Sequence, residues 1–296
     1  MGVVATRASL PRDLDSPRLK RLVDIRRLSS DRSGHASPEH VRHQLYVARD
    51  RETRADALLK VTTRPGLVYE QTLANEIATL STINGALPES RFFPLLLDHG
   101  RLGDGRLFVI MTLFAEWPLA TTIGPERRAD RLVAYLRTAL AVGSALAELH
   151  RVGIFHVDLN PMNVLYRSEQ GTPVVRIVDF ESAYEVARHG TGAFYNPPTT
   201  SGFTAPEVPA LAPDARADVF SLGAVLYTMI AGYHWTWDAD LATSVAADAE
   251  IDAELKTVLV TAADRDREQR YPSIRDMCDA VAAYLESIWP GRSWSA

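Results

Sequence analysis

The sequence predicts an α+β chain in two lobes, a small strand-rich lobe with one helix over residues 22–114 and a larger helical lobe over 115–289. Three observations lead there. Short runs of alternating or continuous apolar residues, separated by turn residues, fill the early part of the chain. A single helical pattern interrupts them. From residue 128 onward, apolar residues recur at helical spacing. A chain of 296 residues also exceeds what one compact core ordinarily organises, which favours two lobes or two domains.

Taken in order, "MGVVATRASLPRDLDSPRLKR", residues 1–21, mixes Arg, Asp, Ser and Pro without the apolar block of a secretory signal, and reads as a flexible segment. Met1, Gly2 and Thr6 fit an acylation pattern so short and degenerate that a chance match is the preferred reading. "VRHQLYVA" alternates Val41, His43, Leu45 and Val47 on one strand face. "ALLKVTT" is a short apolar strand, and "RLFVIMTLF" a buried one following the turn "GDG". Between them "YEQTLANEIATLSTI" places Leu73, Ile77 and Leu80 on one side of a helix that Gly85 and Pro88 bring to an end. "RLVAYLRTALAVGSALAELH" is amphipathic, and "DVFSLGAVLYTMIAG" is apolar nearly all round, as in a helix buried within a bundle. Residues 290–296 form a C-terminal tail.

Composition narrows the partners. Lys+Arg 32 against Asp+Glu 37 gives a net charge of −5, which argues against nucleic acid or an anionic membrane surface as the partner. Cys278 is the only cysteine and forms no internal disulfide, in keeping with a reducing, cytoplasmic setting, although a secreted protein without disulfides reads the same. Uninterrupted apolar runs such as "LFVIMTLFA" fall short of the roughly 20 residues that cross a bilayer, so no membrane span is expected.

The chemistry-bearing residues are spread along this frame. Phosphoryl transfer from ATP needs a cation on the donor phosphates, oxygen ligands for Mg2+ and a group that orients the nucleophile. Lys60 lies on a strand of the small lobe and Glu76 on the helix after it, so the pair can hold an ammonium against phosphates. Asn163 in "HVDLNPMNVLY" and Asp179 in "RIVDFE" are oxygen donors suited to a hard cation. Asp158 then faces the acceptor hydroxyl. The bland readings are a surface ion pair for Lys60 and Glu76, and an Asx-rich turn for Asp158 and Asn163. The apolar flanks of Lys60 and the context "LHRVGIFHVD" weigh against both.

These stretches resemble the eukaryotic-type serine/threonine protein kinase family over roughly residues 25–285. "LLK", "NEI", "HVDLNPMN", "VDFE" and "TAPEV" follow one another as the family's strand lysine, helix glutamate, catalytic loop, metal-binding triplet and the end of the activation segment. The resemblance implies a bilobal protein-kinase-like fold, ATP and Mg2+ as cofactors, and a protein substrate or partner protein. It makes Asp158 the catalytic base, with Lys60 and Asn160 assisting, and Asn163 and Asp179 the metal ligands. The nucleotide site would comprise Lys60, Glu76, Leu45, Leu58, Met111 and Leu165, with backbone groups of Thr112 and Phe114 at the adenine edge. It further implies that Asp218 braces the catalytic loop, that Arg270 pairs with Glu207, that His156 is a packed structural residue, and that Thr200 touches Asp158.

Departures from the family pattern bear on function. The family's glycine-rich loop falls on "PEHVRH", where Pro38, His40 and His43 replace the glycines and Gly34 offers a shifted hairpin. Leu58 stands where a small residue covers the adenine. Val157 replaces the loop arginine that reads a phosphate, which argues against switching by phosphorylation at Thr191, Tyr195, Thr199, Thr200, Ser201 or Thr204. Asn160 replaces a lysine and hydrogen-bonds the acceptor or the γ-phosphate. Glu181 replaces a glycine and either adds a metal oxygen or faces solvent. Two other readings therefore stay open: a pseudokinase scaffold or nucleotide sensor without turnover, and a small-molecule phosphotransferase, whose family shares "HxDLxPxN" and "DFE". Trp235, Trp237, Trp289 and Trp294 offer a partner site, although packing within the helical lobe is the preferred reading for the first three.

Overall fold

The structure is a computed structural model, and it describes residues 14–28, 42–190, 195–198, 200, 202–232 and 240–290. The chain divides into two compact units, residues 1–88 with 94–115, and residues 89–93 with 116–296. The loop 89–93 belongs with the second unit. There Phe92 accepts a backbone hydrogen bond from Ile177 at 2.8 Å, and the Phe93 ring meets Phe180 edge-on.

The first unit is an antiparallel sheet of β1 (Leu22–Arg27), β2 (His43–Asp50), β3 (Asp56–Thr62), β4 (Leu96–Arg101) and β5 (Leu107–Thr112), in the order β1-β2-β3-β5-β4. Helix α1 (Leu67–Ala86) packs on β5, β4 and β3. It begins two residues before the expected stretch because the Gly66 N–H donates to Glu70 Oε1 at 3.0 Å, closing the first turn. Arg101 donates to the same carboxylate, and together these bonds hold Glu70 down at a pKa of about 2.

One expectation changes here. Residues 14–21 are packed rather than flexible: Leu14 and Leu19 are fully buried, and a 3₁₀ turn over Pro17–Arg21 seats them. The Asp15 carbonyl accepts from the Gly103 N–H at 2.9 Å, and Arg18 pairs with Asp98. The alternation in β2 separates the face of His43, Leu45 and Val47 from a core face. Tyr46 and Ala48 are buried with Leu14, Leu19, Leu22 and Ile25, while Leu45 and Val47 are half-buried. Alternation shows that two faces differ, and which one is covered depends on where the N-terminal segment lies.

The second unit contains β6 (Trp117–Pro118), α2 (Leu132–Arg151), β7 (Ile154–Phe155), β8 (Val164–Glu169), β9 (Thr172–Ile177), β10 (Tyr184–Glu185), α3 (Val186–His189), α4 (Ala215–Ala231), α5 (Leu241–Ala247), α6 (Ala253–Ala262) and α7 (Ile274–Ile288). Strands form two small sheets, β6-β8-β9 and β10-β7. Helix α4 is buried nearly throughout, as its all-round apolarity predicts. Gly143 lets α2 approach α7 closely, because a Cβ there would stand 2.2 Å from Cys278 Sγ. Residues Ala129–Arg151 are long and apolar enough to cross a membrane, with 56% of the window buried inside the protein, although no uninterrupted apolar run of that length is present. Trp289 is partly buried at the end of α7, whereas Trp235, Trp237 and Trp294 lie outside the described residues.

Candidate active site

In the first unit, Lys60 Nζ donates to Glu76 Oε2 at 2.8 Å, with side-chain exposures of 9% and 2%. A buried ion pair forfeits so much hydration that fold stability is a poor reason for its presence, which directs attention to function. Strand register collects the expected nucleotide residues around it. Leu45 stands opposite Lys60 and Leu58 opposite Met111, all on the sheet face away from the main core. Thr112 lies on the other face, its N–H bonded to the Leu95 carbonyl at 3.0 Å and its Oγ1 accepting from the Leu95 N–H at 2.9 Å. Phe114 follows the strand. Of the glycine-rich loop positions, Pro38 and His40 lie outside the described residues, as does Gly34; His43 begins β2.

In the second unit, the stretch after α2 is folded around Asp218 of α4. This carboxylate is fully buried and accepts from the His156 N–H at 2.9 Å, the Val157 N–H at 2.7 Å and, with His150 Nε2, forms a bond of 2.8 Å. Burial alone pushes its pKa up, but bonds from His150 and Val157 prevail and hold it below the usual carboxylate range. Val157 is held at φ +67°, a strained conformation for a β-branched residue. His156 is fully buried, bonds the Val178 carbonyl through Nε2 at 3.1 Å and packs against Phe180, so the expected structural role describes its surroundings.

Asp158 comes next. Its Oδ1 is buried without a hydrogen-bond partner among the described residues, and a side-chain hydrogen bond joins its carboxylate to Thr200. Desolvation pushes its pKa up to about 7; the Thr200 bond opposes this, while the charges of Asp179 and Glu181 add to it. Asn163 Nδ2 donates to the Asp158 carbonyl at 2.9 Å, leaving Oδ1 without a partner among the described residues. Asp179 sits at φ +68°, directly before Phe180. Glu181 replaces the family's glycine without adopting a left-handed backbone. Leu165 is half-buried on β8, opposite Arg176 and Pro118.

Asn160 departs from its expected role. Its Nδ2 donates to the Asp158 carbonyl at 3.0 Å and its Oδ1 accepts from the Met162 N–H at 2.9 Å, so the amide shapes its own loop rather than reaching for an acceptor or a phosphate. His150 was missed in the sequence, although its place in the last turn of α2, just ahead of the loop, was a signal. Further along, Arg270 grips Glu207 with two bonds of 2.8 Å, as the resemblance implies, and also donates to the carbonyl of Asp264. Thr191, Thr199 and Ser201 lie outside the described residues.

The donor set fits a magnesium ion. Asn163 Oδ1 and the Asp179 carboxylate are hard oxygens, and carboxylates of Asp158, Asp179 and Glu181 repel one another enough to perturb Asp158, a repulsion that a cation relieves.

Comparison with known proteins places the chain in a family. Residues 103–286 match the protein kinase domain family, and the chain belongs to that family. Over 87 residues it is 46% identical to human ribosomal protein S6 kinase alpha-2, covering 29% of this chain and 12% of that protein. With human ribosomal protein S6 kinase alpha-1 the identity is 43% over 94 residues, 31% of this chain and 13% of the relative. The chain thus spans only about an eighth of the length of these curated relatives. In fold it is similar to the crystal structure of the Mycobacterium tuberculosis PknI kinase domain, with a TM-score of 0.61 and 20% identity, covering 89% of this chain and 94% of that one.

Proposed function

We infer that the chain transfers the γ-phosphoryl group of ATP to serine or threonine hydroxyls of a protein. The observation that carries this reading is the bond between Thr200 and the Asp158 carboxylate, beside a buried Asp158 oxygen without a partner among the described residues. An aliphatic hydroxyl is already a ligand of this group, and an acceptor hydroxyl has the same chemistry.

Each residue then has a task. Lys60, oriented by Glu76, neutralises donor phosphates. The half-buried leucines Leu45 and Leu58, with Met111, offer an apolar surface to the base, and backbone groups of Thr112 and Phe114 meet its polar edge. Asn163 and Asp179 hold magnesium, which, when bound, neutralises charge developing on the transferring group. Asp158 orients the attacking hydroxyl and receives its proton. Asp218 holds the loop that carries Asp158, through the two N–H groups preceding it.

Nucleotide binding separates these roles. Asp179→Asn is expected to abolish the magnesium-dependent part of ATP binding, whereas Asp158→Asn leaves it intact. Equal affinity of the unaltered chain for ATP with magnesium and with a chelator contradicts the metal assignment.

A further inference from the structure

The stretch between the metal-binding triplet and Glu207 carries a cluster that the proposed reaction does not use. β10 pairs with β7 in the register Tyr184↔Phe155 and Glu185↔Ile154, which places Tyr184 beside the residue preceding His156. The chain then turns through α3, where the Val186 N–H bonds the Gly153 carbonyl at 2.9 Å. The Glu185 N–H donates to His189 Nδ1 at 2.9 Å, and Arg188 pairs with Glu185 at 3.1 Å. His189 is therefore a neutral imidazole that accepts at Nδ1.

Three rings close this turn. Tyr184 and His189 lie 5.0 Å apart between centroids, Tyr184 and Tyr195 5.2 Å in an edge-on pair, and His189 and Tyr195 5.4 Å. Tyr195 thus ties the chain beyond α3 back to β10, and through β10 to β7 and the catalytic loop. Its hydroxyl is buried without a partner among the described residues. Burial raises its pKa, and the charges of Asp218 and Asp158 add to the rise, so the phenol lies within the field of both carboxylates. At the loop itself, Val157 is fully buried where the family's arginine would meet a phosphate. A neutral ring packed in an apolar setting suits that side chain.

We propose that Tyr195 is a positioning residue that, packed against Tyr184 and His189, fastens the segment carrying Thr200 to the catalytic loop without any phosphate. The proposal rests on the phosphoryl-transfer reading for its kinetic consequence, but its structural half stands apart from turnover. A segment held by ring packing keeps Thr200 and Asp158 together in the unphosphorylated chain.

The test uses the full chain treated with phosphatase and checked by mass, beside Tyr195→Ala and Tyr195→Phe. For peptide phosphorylation, Tyr195→Ala should lower kcat on the order of tenfold or more, with the ATP affinity held within about twofold, and Tyr195→Phe should recover most of the loss because it keeps the ring. Amide exchange over residues 182–190 should speed up on the order of tenfold in Tyr195→Ala and remain slow in Tyr195→Phe, with the helices α4 and α7 unaffected. Unchanged exchange in Tyr195→Ala overturns the proposal whether or not the chain transfers phosphate. So does loss of transfer on phosphatase treatment alone. If the unaltered chain shows no transfer while exchange responds as expected, the positioning role holds and the catalytic reading fails.

Discussion

The backbone N–H of Val157 donates to Asp218 Oδ1 at 2.7 Å while Val157 itself is held at φ +67°. A strained residue persists only where its surroundings over-determine it. Asp218 supplies that constraint, since it also holds the His156 N–H and His150.

Removing the acceptor should therefore be costly. Asp218→Ala leaves two buried N–H groups and a histidine without their partner, and we expect a loss of about 3–5 kcal/mol in unfolding free energy by denaturant titration. Asp218→Asn keeps the shape and one acceptor oxygen, so it should cost less. Equal stability of Asp218→Ala and the unaltered chain would show that the loop is held by something else.

The N-terminal segment gives a second expectation. Leu19 is fully buried against the sheet, so Leu19→Ala should lower stability by about 2–5 kcal/mol, as for other buried leucines. If residues 14–21 were flexible in solution, the same change would have almost no effect on the melting temperature.

Acid should also weaken the fold through His156. Burial lowers its pKa below the ordinary value of 6.5, and its Nδ1 lacks any hydrogen-bond partner among the described residues, so a second ring N–H would have no acceptor. Above pH 6.5 the ring is neutral in both folded and unfolded chains and the stability is fully present. As pH falls below that value, the unfolded chain takes up a proton that the folded one refuses, and stability drops by up to about 1.4 kcal/mol per pH unit from this group. His189, lowered by burial as well, acts in the same direction. Replacing His156 by Gln should make the fall between pH 7 and pH 5 shallower; an unchanged slope would remove His156 from the account.

Much of this was legible in the sequence for a definite reason. Lys60, Asp158, Asn163 and Asp179 stand in short motifs whose order marks the family, and the Arg270–Glu207 and Asp218 contacts follow from it. Other features were not. The buried face of β2 depends on Leu14 and Leu19, isolated apolar residues in a charged stretch that periodicity does not single out. Asn160 looked like a substrate contact because a motif gives residue type, while the loop's own N–H and carbonyl groups decide where the amide bonds. The Tyr184, His189 and Tyr195 cluster joins residues through a β-pairing of β10 with β7, a tertiary relationship with no local pattern.

The measurement that bears most directly on the central reading is transfer of labelled γ-phosphate from ATP, with magnesium, by the full chain and by Asp158→Asn, followed by identification of the phosphorylated residues in protein substrates. The account predicts label on serine or threonine with the unaltered chain, and loss of about a hundredfold or more with Asp158→Asn while ATP still binds. Nucleotide binding without transfer in the unaltered chain, or equal transfer by both, would contradict it.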